Sequence, residues 1–216
     1  MRASATGRLL VDPKGGSFWF DAGAVCLDFA HTGGEGQYAR FETLREPSAL
    51  ASWLAEPPLS AAMTAPVTAD DLTAAKALRQ AIWEAAHAQA AGRPLPAAAI
   101  AAINQAAAAA PLIPELAFAG ATDDPDRAAT LGAGDLVFAR WAAPVGVTQA
   151  MSTLAREMIE LLTGPLAGRI RECASDNCPM VFVDSSRPGA RRWCSMERCG
   201  NRHKLRALRE RRAADR

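Results

Sequence analysis

Apolar positions recur at three- and four-residue spacing in several separate stretches of this chain, and each stretch predicts a helix. Pro47 can open one that runs to about Glu56, with Leu50, Trp53 and Leu54 on one face. The next spans about Ala69 to Ala91 and buries Leu72, Ala75, Leu78, Ile82 and Ala86. Thr68 and Asp71 form a capping box at its start, and Gly92 closes it. Pro96 opens a third through the alanine run to Ala110, with Ile100 and Ile103 its only large apolar anchors. Leu136 to Trp141 and Val147 to Leu162 predict two more, split near Pro144 and Gly146. Val25 to Ala30 reads as the first turns of a short helix that Gly33, Gly34 and Gly36 break.

Strand signals are fewer. Ser17 to Phe20 is one short strand, preceded by a loose start over residues 1–16. Leu116 to Ala119 is expected to pair with Ala128 to Leu131 across the polar loop Thr122 to Asp126. The fold class is therefore α+β, a mostly helical N-terminal domain with a few short strands, followed after Gly164-Pro165 by a small C-terminal module. The domains expected are residues 12–165 and 169–212.

Cysteine placement changes the picture most. Cys173 and Cys178 form one close pair and Cys194 and Cys199 another, while Cys26 stands alone among apolar neighbours as a buried thiol. Two close pairs across a hairpin are the pattern of a tetrahedral thiolate cage, metal: Cys173, Cys178, Cys194 and Cys199, for one structural Zn2+ with no position left for water. Iron–sulfur centres also use four thiolates. Between the pairs, Pro179 to Asp184 predicts a strand, Ser186 to Ala190 a turn, and Arg191 to Trp193 the returning arm. Phe182 and Trp193 supply the small core, so metal binding must contribute much of the folding free energy. Ser195 is the expected N-cap of a helix reaching about Arg212, on which Leu205 and Leu208 should pack against the body.

Charge is unevenly divided. Residues 169–216 hold 13 Lys/Arg against 6 Asp/Glu, whereas residues 1–168 hold 11 against 17. The basic C-terminus points to a polyanion, with Arg191, Arg192, Arg198, Arg202, Lys204, Arg206 and Arg209 as the nucleic-acid contacts. Arg198, Arg202, Arg206 and Arg209 share one helix face. Some of that charge would offset the net −2 of a zinc tetrathiolate. No apolar run approaches the length of a membrane span, and the N-terminus lacks a secretory stretch, so a cytoplasmic, bacterial protein is expected.

The run Arg192-Trp193-Cys194-Ser195-Met196 followed by Cys199-Gly200-Asn201-Arg202 resembles the CGNR zinc-finger family over about residues 168–212. Upstream, Leu27-Asp28-Phe29-Ala30-His31-Thr32 and Trp53-Leu54 resemble the ABATE domain that precedes this finger, with His31 standing where the family has asparagine. The resemblance implies a stress-related transcription regulator with a DNA-binding finger. Gly200 and Asn201 fit close backbone approach and hydrogen bonds to the cage sulfurs better than base contacts. His203 is expected to be solvated or to face phosphate rather than to act as a fifth ligand.

These observations predict a DNA-binding regulator, not an enzyme: His31 beside Asp28 has no nucleophile in an evident arrangement with it. An N-terminal domain sensing an unidentified small-molecule effector, and a homodimer, complete the expectation. Trp19, Trp53, Trp83 and Trp141 could line a cavity or serve as core, and Arg40 and Arg45 could hold a ligand carboxylate or pair with Asp28, Glu42 or Glu46. The alternative is a zinc-stabilised adaptor that binds protein or RNA without reading DNA sequence.

Overall fold

A computed structural model describes residues 7–11, 15–34, 36–118 and 137–214. The chain begins with an antiparallel hairpin, β1 (Arg8–Val11) and β2 (Ser17–Phe20), in register Arg8 with Phe20 and Val11 with Ser17. The loose start expected over residues 1–16 therefore contains a strand. Its Arg8 is held by Glu56 at 2.8 Å and lies 4.4 Å over the Trp53 ring, contacts with residues more than forty positions away. Phe18 and Phe20 alternate inward from β2 while Trp19 points out, 56% exposed.

Helix α1 (Val25–Ala30) is too short to stand alone. Its N-cap, Ala24, has no capping side chain; the Glu157 carboxylate, 131 residues away in sequence from Cys26, accepts from the Val25 and Cys26 amides at 3.2 and 2.6 Å. Burial, with Glu157 beside it, pushes the Cys26 thiol well above its ordinary range, as expected for an inert core cysteine. A 3-10 turn (Gly36–Phe41) leads to α2 (Pro47–Ala55) and α3 (Ala69–Ala90). The capping box forms as the sequence predicts: Asp71 N–H donates to Thr68 Oγ1 at 3.1 Å and Thr68 N–H to Asp71 Oδ2 at 2.9 Å. Gly92 takes φ +64, the left-handed conformation that ends the chain's longest described helix.

Helix α4 (Ala97–Ala107) stops three residues short of the expectation. Ser152 Oγ donates to the Ala109 carbonyl at 2.7 Å, satisfying backbone the helix no longer uses. Ala99 and Ile103 are its buried positions; Ile100, expected as an anchor, is exposed. The next elements correct the sequence reading. β3 (Pro114–Phe118) pairs antiparallel with β4 (Val137–Trp141), so residues 137–141 form a strand and not the helix expected from Leu136 to Trp141. Five residues ending in Trp and carrying Val and Phe are too few for a stable helix and suit a pleated surface. The expected partner strand, Ala128 to Leu131, and the loop Thr122 to Asp126 lie outside the described residues. Trp141 is anchored by its indole N–H to the Leu59 carbonyl at 2.7 Å.

Helix α5 (Val147–Thr163) buries Met151, Leu154, Met158 and Leu161, and α1, α3, α4 and α5 pack around one core. That core does not end at Gly164-Pro165. Ile170, Val181, Phe182 and Val183, from the C-terminal strands, belong to the same buried cluster as Phe20, Phe29 and Ile82. Val183 N–H donates to the Ala22 carbonyl at 2.8 Å, and the His31 ring nitrogen Nε2 lies 2.8 Å from the Val181 carbonyl. Val183 also explains Gly23, whose φ is +77 and whose missing Cβ would sit 3.0 Å from the Val183 Cβ.

A buried arginine holds a half-buried carboxylate in this body. Arg79, 4% exposed, grips Glu42 through its two terminal nitrogens at 2.8 and 2.7 Å. Burial raises the Glu42 carboxyl, but the Arg79 hydrogen bonds outweigh it and hold the group below its ordinary range. Glu42 is thus the partner of Arg79, with Lys76 at 3.9 Å, while the Arg45 guanidinium donates to the Glu42 backbone carbonyl. Replacing Arg79 with Met should cost about 3 kcal/mol of unfolding free energy, because it strands a desolvated carboxylate. Denaturant titration checks this, and a midpoint unchanged from wild type would refute it.

His31 is lowered from its ordinary 6.5 to about 4, chiefly by burial. A base depressed in the folded state favours folding fully above the unfolded value and loses that contribution as pH falls through the folded one. Stability should therefore be steady above about pH 6.5 and decline toward pH 4, by at most about 3 kcal/mol for this group. His87, also lowered chiefly by burial, adds to the same slope. His31→Asn should flatten the decline, leaving the His87 share, in melts taken between those pH values.

Candidate metal centre

The C-terminal module starts from three residues on each side of a hairpin. β5 (Ile170–Glu172) pairs antiparallel with β6 (Val181–Val183), Ile170 opposite Val183 and Glu172 opposite Val181. The sequence reading set β6 against the arm Arg191 to Trp193; the strand partner instead lies before the first cysteine. Cys173 and Cys178 therefore sit inside the hairpin connection. Cys173 N–H donates to the Met180 carbonyl at 2.9 Å and Cys178 N–H to the Ser175 carbonyl at 3.0 Å, which folds the connection into a tight knuckle. Short, apolar β6 is buried at every position, so its hydrophobic run fixes the knuckle against the helical body.

Asp184 brings the second pair back. Its side chain, fully buried, accepts from Ser186 N–H at 3.0 Å, Ser186 O–H at 2.6 Å and Arg191 N–H at 2.9 Å. Burial works against ionisation, yet these hydrogen bonds hold the carboxyl below its ordinary range. Arg169 closes the same turn from the other side, donating to the Asp184 and Ser186 carbonyls at 3.1 and 2.6 Å. The Asp184-Ser185-Ser186 run was the available signal for this turn, since aspartate followed two residues later by serine favours such loops. The returning chain then docks on the first knuckle through Ala174 N–H to the Arg192 carbonyl at 2.9 Å and Cys194 N–H to Cys173 Sγ at 3.4 Å.

The second knuckle is a π-turn (Met196–Gly200) that runs directly into α6 (Asn201–Ala214). Ser195 occupies the N-cap position but makes no side-chain cap; its carbonyl accepts from both Cys199 and Gly200 amides at 3.1 Å. Gly200 N–H is thus directed to backbone and not to a sulfur, and Asn201 is exposed at the helix start. The amides that do meet sulfurs include that of Cys194, 3.4 Å from Cys173 Sγ, and that of Met180, on Cys178.

All four Sγ atoms lie buried within 4.8 Å of one another, with Cys178–Cys194 at 3.6 Å and Cys194–Cys199 at 3.5 Å. A zinc–sulfur bond of about 2.3 Å in a tetrahedron sets sulfurs about 3.8 Å apart, so the cluster fits one zinc ion closely. The thiols are free, with no disulfide between them. Hydrogen bonding among the sulfurs pulls Cys173 down to about 6 and Cys199 lower still, while it pushes Cys178 and Cys194 up. Each thiolate leans on a neighbour's S–H; a divalent cation is what allows all four to be thiolates at once.

The basic residues part into two groups. Arg191 is turned inward: its guanidinium donates to the carbonyls of Asp21 at 2.9 Å, Trp193 at 3.1 Å and Cys194 at 2.6 Å, and stacks 4.0 Å from the Phe182 ring. It therefore ties the second knuckle to the body, a role other than the phosphate contact expected of it. Arg198 is half-buried, 4.4 Å over the Phe18 ring. Arg192, Arg202, Lys204, Arg206 and Arg209 are exposed. Arg206 pairs with Asp176 at 3.1 Å and Glu210 at 3.0 Å, both at the surface. His203 stacks at 4.7 Å on Trp193. Leu205 and Leu208, expected to pack on the body, are 54% and 39% exposed, because α6 leaves the module with every described side chain from Asn201 to Ala213 in solvent.

Two family models match the chain. Residues 23–165 match ABATE, described as "Putative stress-induced transcription regulator", and residues 169–212 match the CGNR zinc finger. No curated protein matches.

Cys178→Ser should lower zinc content well below one ion per chain and leave residues 170–214 open to protease, since such an ion contributes about 10 kcal/mol or more to modules of this kind. Cys26→Ala, which removes the one cysteine outside the cluster, should keep its zinc. Full zinc and protease resistance in the Cys178 variant would reject the ligand set.

Proposed function

The chain belongs to the ABATE family and carries a CGNR zinc finger, and from that premise we propose that it regulates transcription by binding DNA through the finger's α6. One observation carries the reading: α6 is a fully solvated helix whose Arg202, Lys204 and Arg209 make no ion pair among the described residues. A helix of this length, about 21 Å, suits a major groove or a phosphate backbone. The zinc cage holds its first turn rigid, so the ordering cost of presenting those charges falls on the metal and not on the complex. Arg192, Arg198 and Arg206 extend the basic surface; the surface pairs of Arg206 are weak enough to exchange for phosphate.

The reading assigns no catalysis. His31, the histidine beside a buried carboxylate, directs Nε2 at Val181 and has the role of joining body to finger. No described helix is long and apolar enough to cross a membrane. A second reading, an adaptor that binds protein, draws on Leu205 and Leu208, an exposed apolar pair three residues apart on the same helix. The same pair would serve a homodimer, with two fingers reading two half-sites.

If six of these side chains neutralise phosphates, the logarithm of the DNA association constant should fall with the logarithm of salt at a slope of about −5. Arg209→Ala should make the slope shallower by about 1. Fluorescence anisotropy with labelled duplex DNA, competed by unlabelled duplex, RNA and heparin, checks both; salt-independent binding, or equal competition by all three, would favour the adaptor.

A further inference from the structure

A cleft of about 790 Å³ opens where the N-terminal hairpin, the 3-10 turn, α3 and the first zinc knuckle meet. Its apolar wall comes from Leu10, Phe18, Phe41, Trp83 and Met180, one from nearly every element around it. Three guanidinium groups, those of Arg40, Arg198 and Arg202, also line it, and no Asp or Glu is among its described lining residues. Two acids adjacent in sequence to lining residues are already engaged: Glu42 by Arg79, and Asp176 by Arg206. Two of the arginines sit over aromatic wall residues, Arg198 4.4 Å from the Phe18 ring centroid and Arg40 4.8 Å from that of Phe41. A cation–π contact of this kind uses no N–H hydrogen bond, so the guanidinium donors remain for a ligand. Arg198 Nε is buried and meets no acceptor among the described residues, an arrangement that is costly unless something accepts from it.

From this juxtaposition we propose that the cleft is a binding site for a small organic anion with a flat apolar body, an arene carboxylate or arene phosphate. The ring would lie among Phe18, Phe41 and Trp83, and the anion would accept from the arginines. Its size is within the range of small-molecule sites. The His31 ring also lines the cleft, held neutral by burial, so it adds no competing charge of either sign near neutral pH. Of the four tryptophans considered from sequence, Trp83 is the one that lines this cleft; Trp53 is core, Trp19 lies on the outer face of β2, and Trp141 hydrogen-bonds Leu59.

The test is calorimetry on the full zinc-loaded chain with three probes: 2-naphthoate, 2-naphthyl phosphate and neutral 2-naphthamide. Arg40 is the residue to replace, because Arg198 and Arg202 also belong to the proposed DNA surface; failure here is then separate from failure of that reading. At least one anion should bind, at least about tenfold more tightly than the amide, and Arg40→Met should remove most of that advantage while leaving zinc content and melting temperature unchanged. The tighter of the two anions identifies the headgroup. Absence of binding by both anions, equal affinity for anion and amide, or an Arg40→Met protein that binds like wild type would each overturn the proposal.

Discussion

Four thiolates cannot share one small buried space unless a cation sits among them, and this constraint organises the C-terminal quarter of the molecule. Their mutual repulsion in a low-dielectric site is what the metal converts into attraction. Two knuckles, each closed by its own amide-to-carbonyl bonds, bring the sulfurs together, but the strands involved have only three residues each. A sheet of that size has no stability of its own. The module stands because metal ligation closes it from within and the helical body closes it from without, through Val183 on Ala22, Val181 on His31 and Arg191 on Asp21.

How far the sequence alone could foresee this follows the range of the interactions. The helices α2, α3 and α5 were legible because their signals are local: Pro47 at a first turn, Thr68 with Asp71, Gly92 at a C-terminus, and apolar spacing over many turns. The four metal ligands were legible because paired cysteines carry their chemistry in their spacing. What escaped depends on partners distant in the chain. β1 exists because it pairs with β2, and Arg8 reaches Trp53 and Glu56. β4 was misread as helix because five residues cannot show which periodicity they obey until β3 lies beside them. The zinc hairpin was misregistered for the same reason: Ile170-Arg171-Glu172 has no strand signature apart from its partner.

Charge shows the same division. Counting residues revealed a basic terminus, but it could not distinguish an arginine that serves the fold from one that faces solvent. Arg169 and Arg191 carry positive charge into the loop around Asp184 and the second knuckle, where backbone carbonyls take up their donors. Such arginines stabilise the geometry around the thiolates and offer phosphate fewer free donors than a solvent-facing arginine does. Past Gly200 the environment changes abruptly: every described side chain of α6 is exposed, and the same residue type becomes surface. Periodicity points Leu205 and Leu208 toward the body, but it reports only that two residues share a face and not what that face meets.

Continuity of the core across Gly164-Pro165 bears on how the two matched regions can communicate. A finger on a free tether would sense nothing of the body. Here Arg198, one residue before the ligand Cys199, lies on Phe18 of the N-terminal hairpin and lines the cleft together with Arg40 and Trp83 of the body. An anion seated there would draw on the guanidinium groups of Arg198 and Arg202, at the turn that launches α6. On this reading the path from ligand to nucleic-acid surface is short and electrostatic: two occupants with like charge compete for the same arginines, and each must weaken the other by an equal factor. No hinge is needed for such coupling, which suits a molecule whose parts are joined by a shared core rather than by a linker.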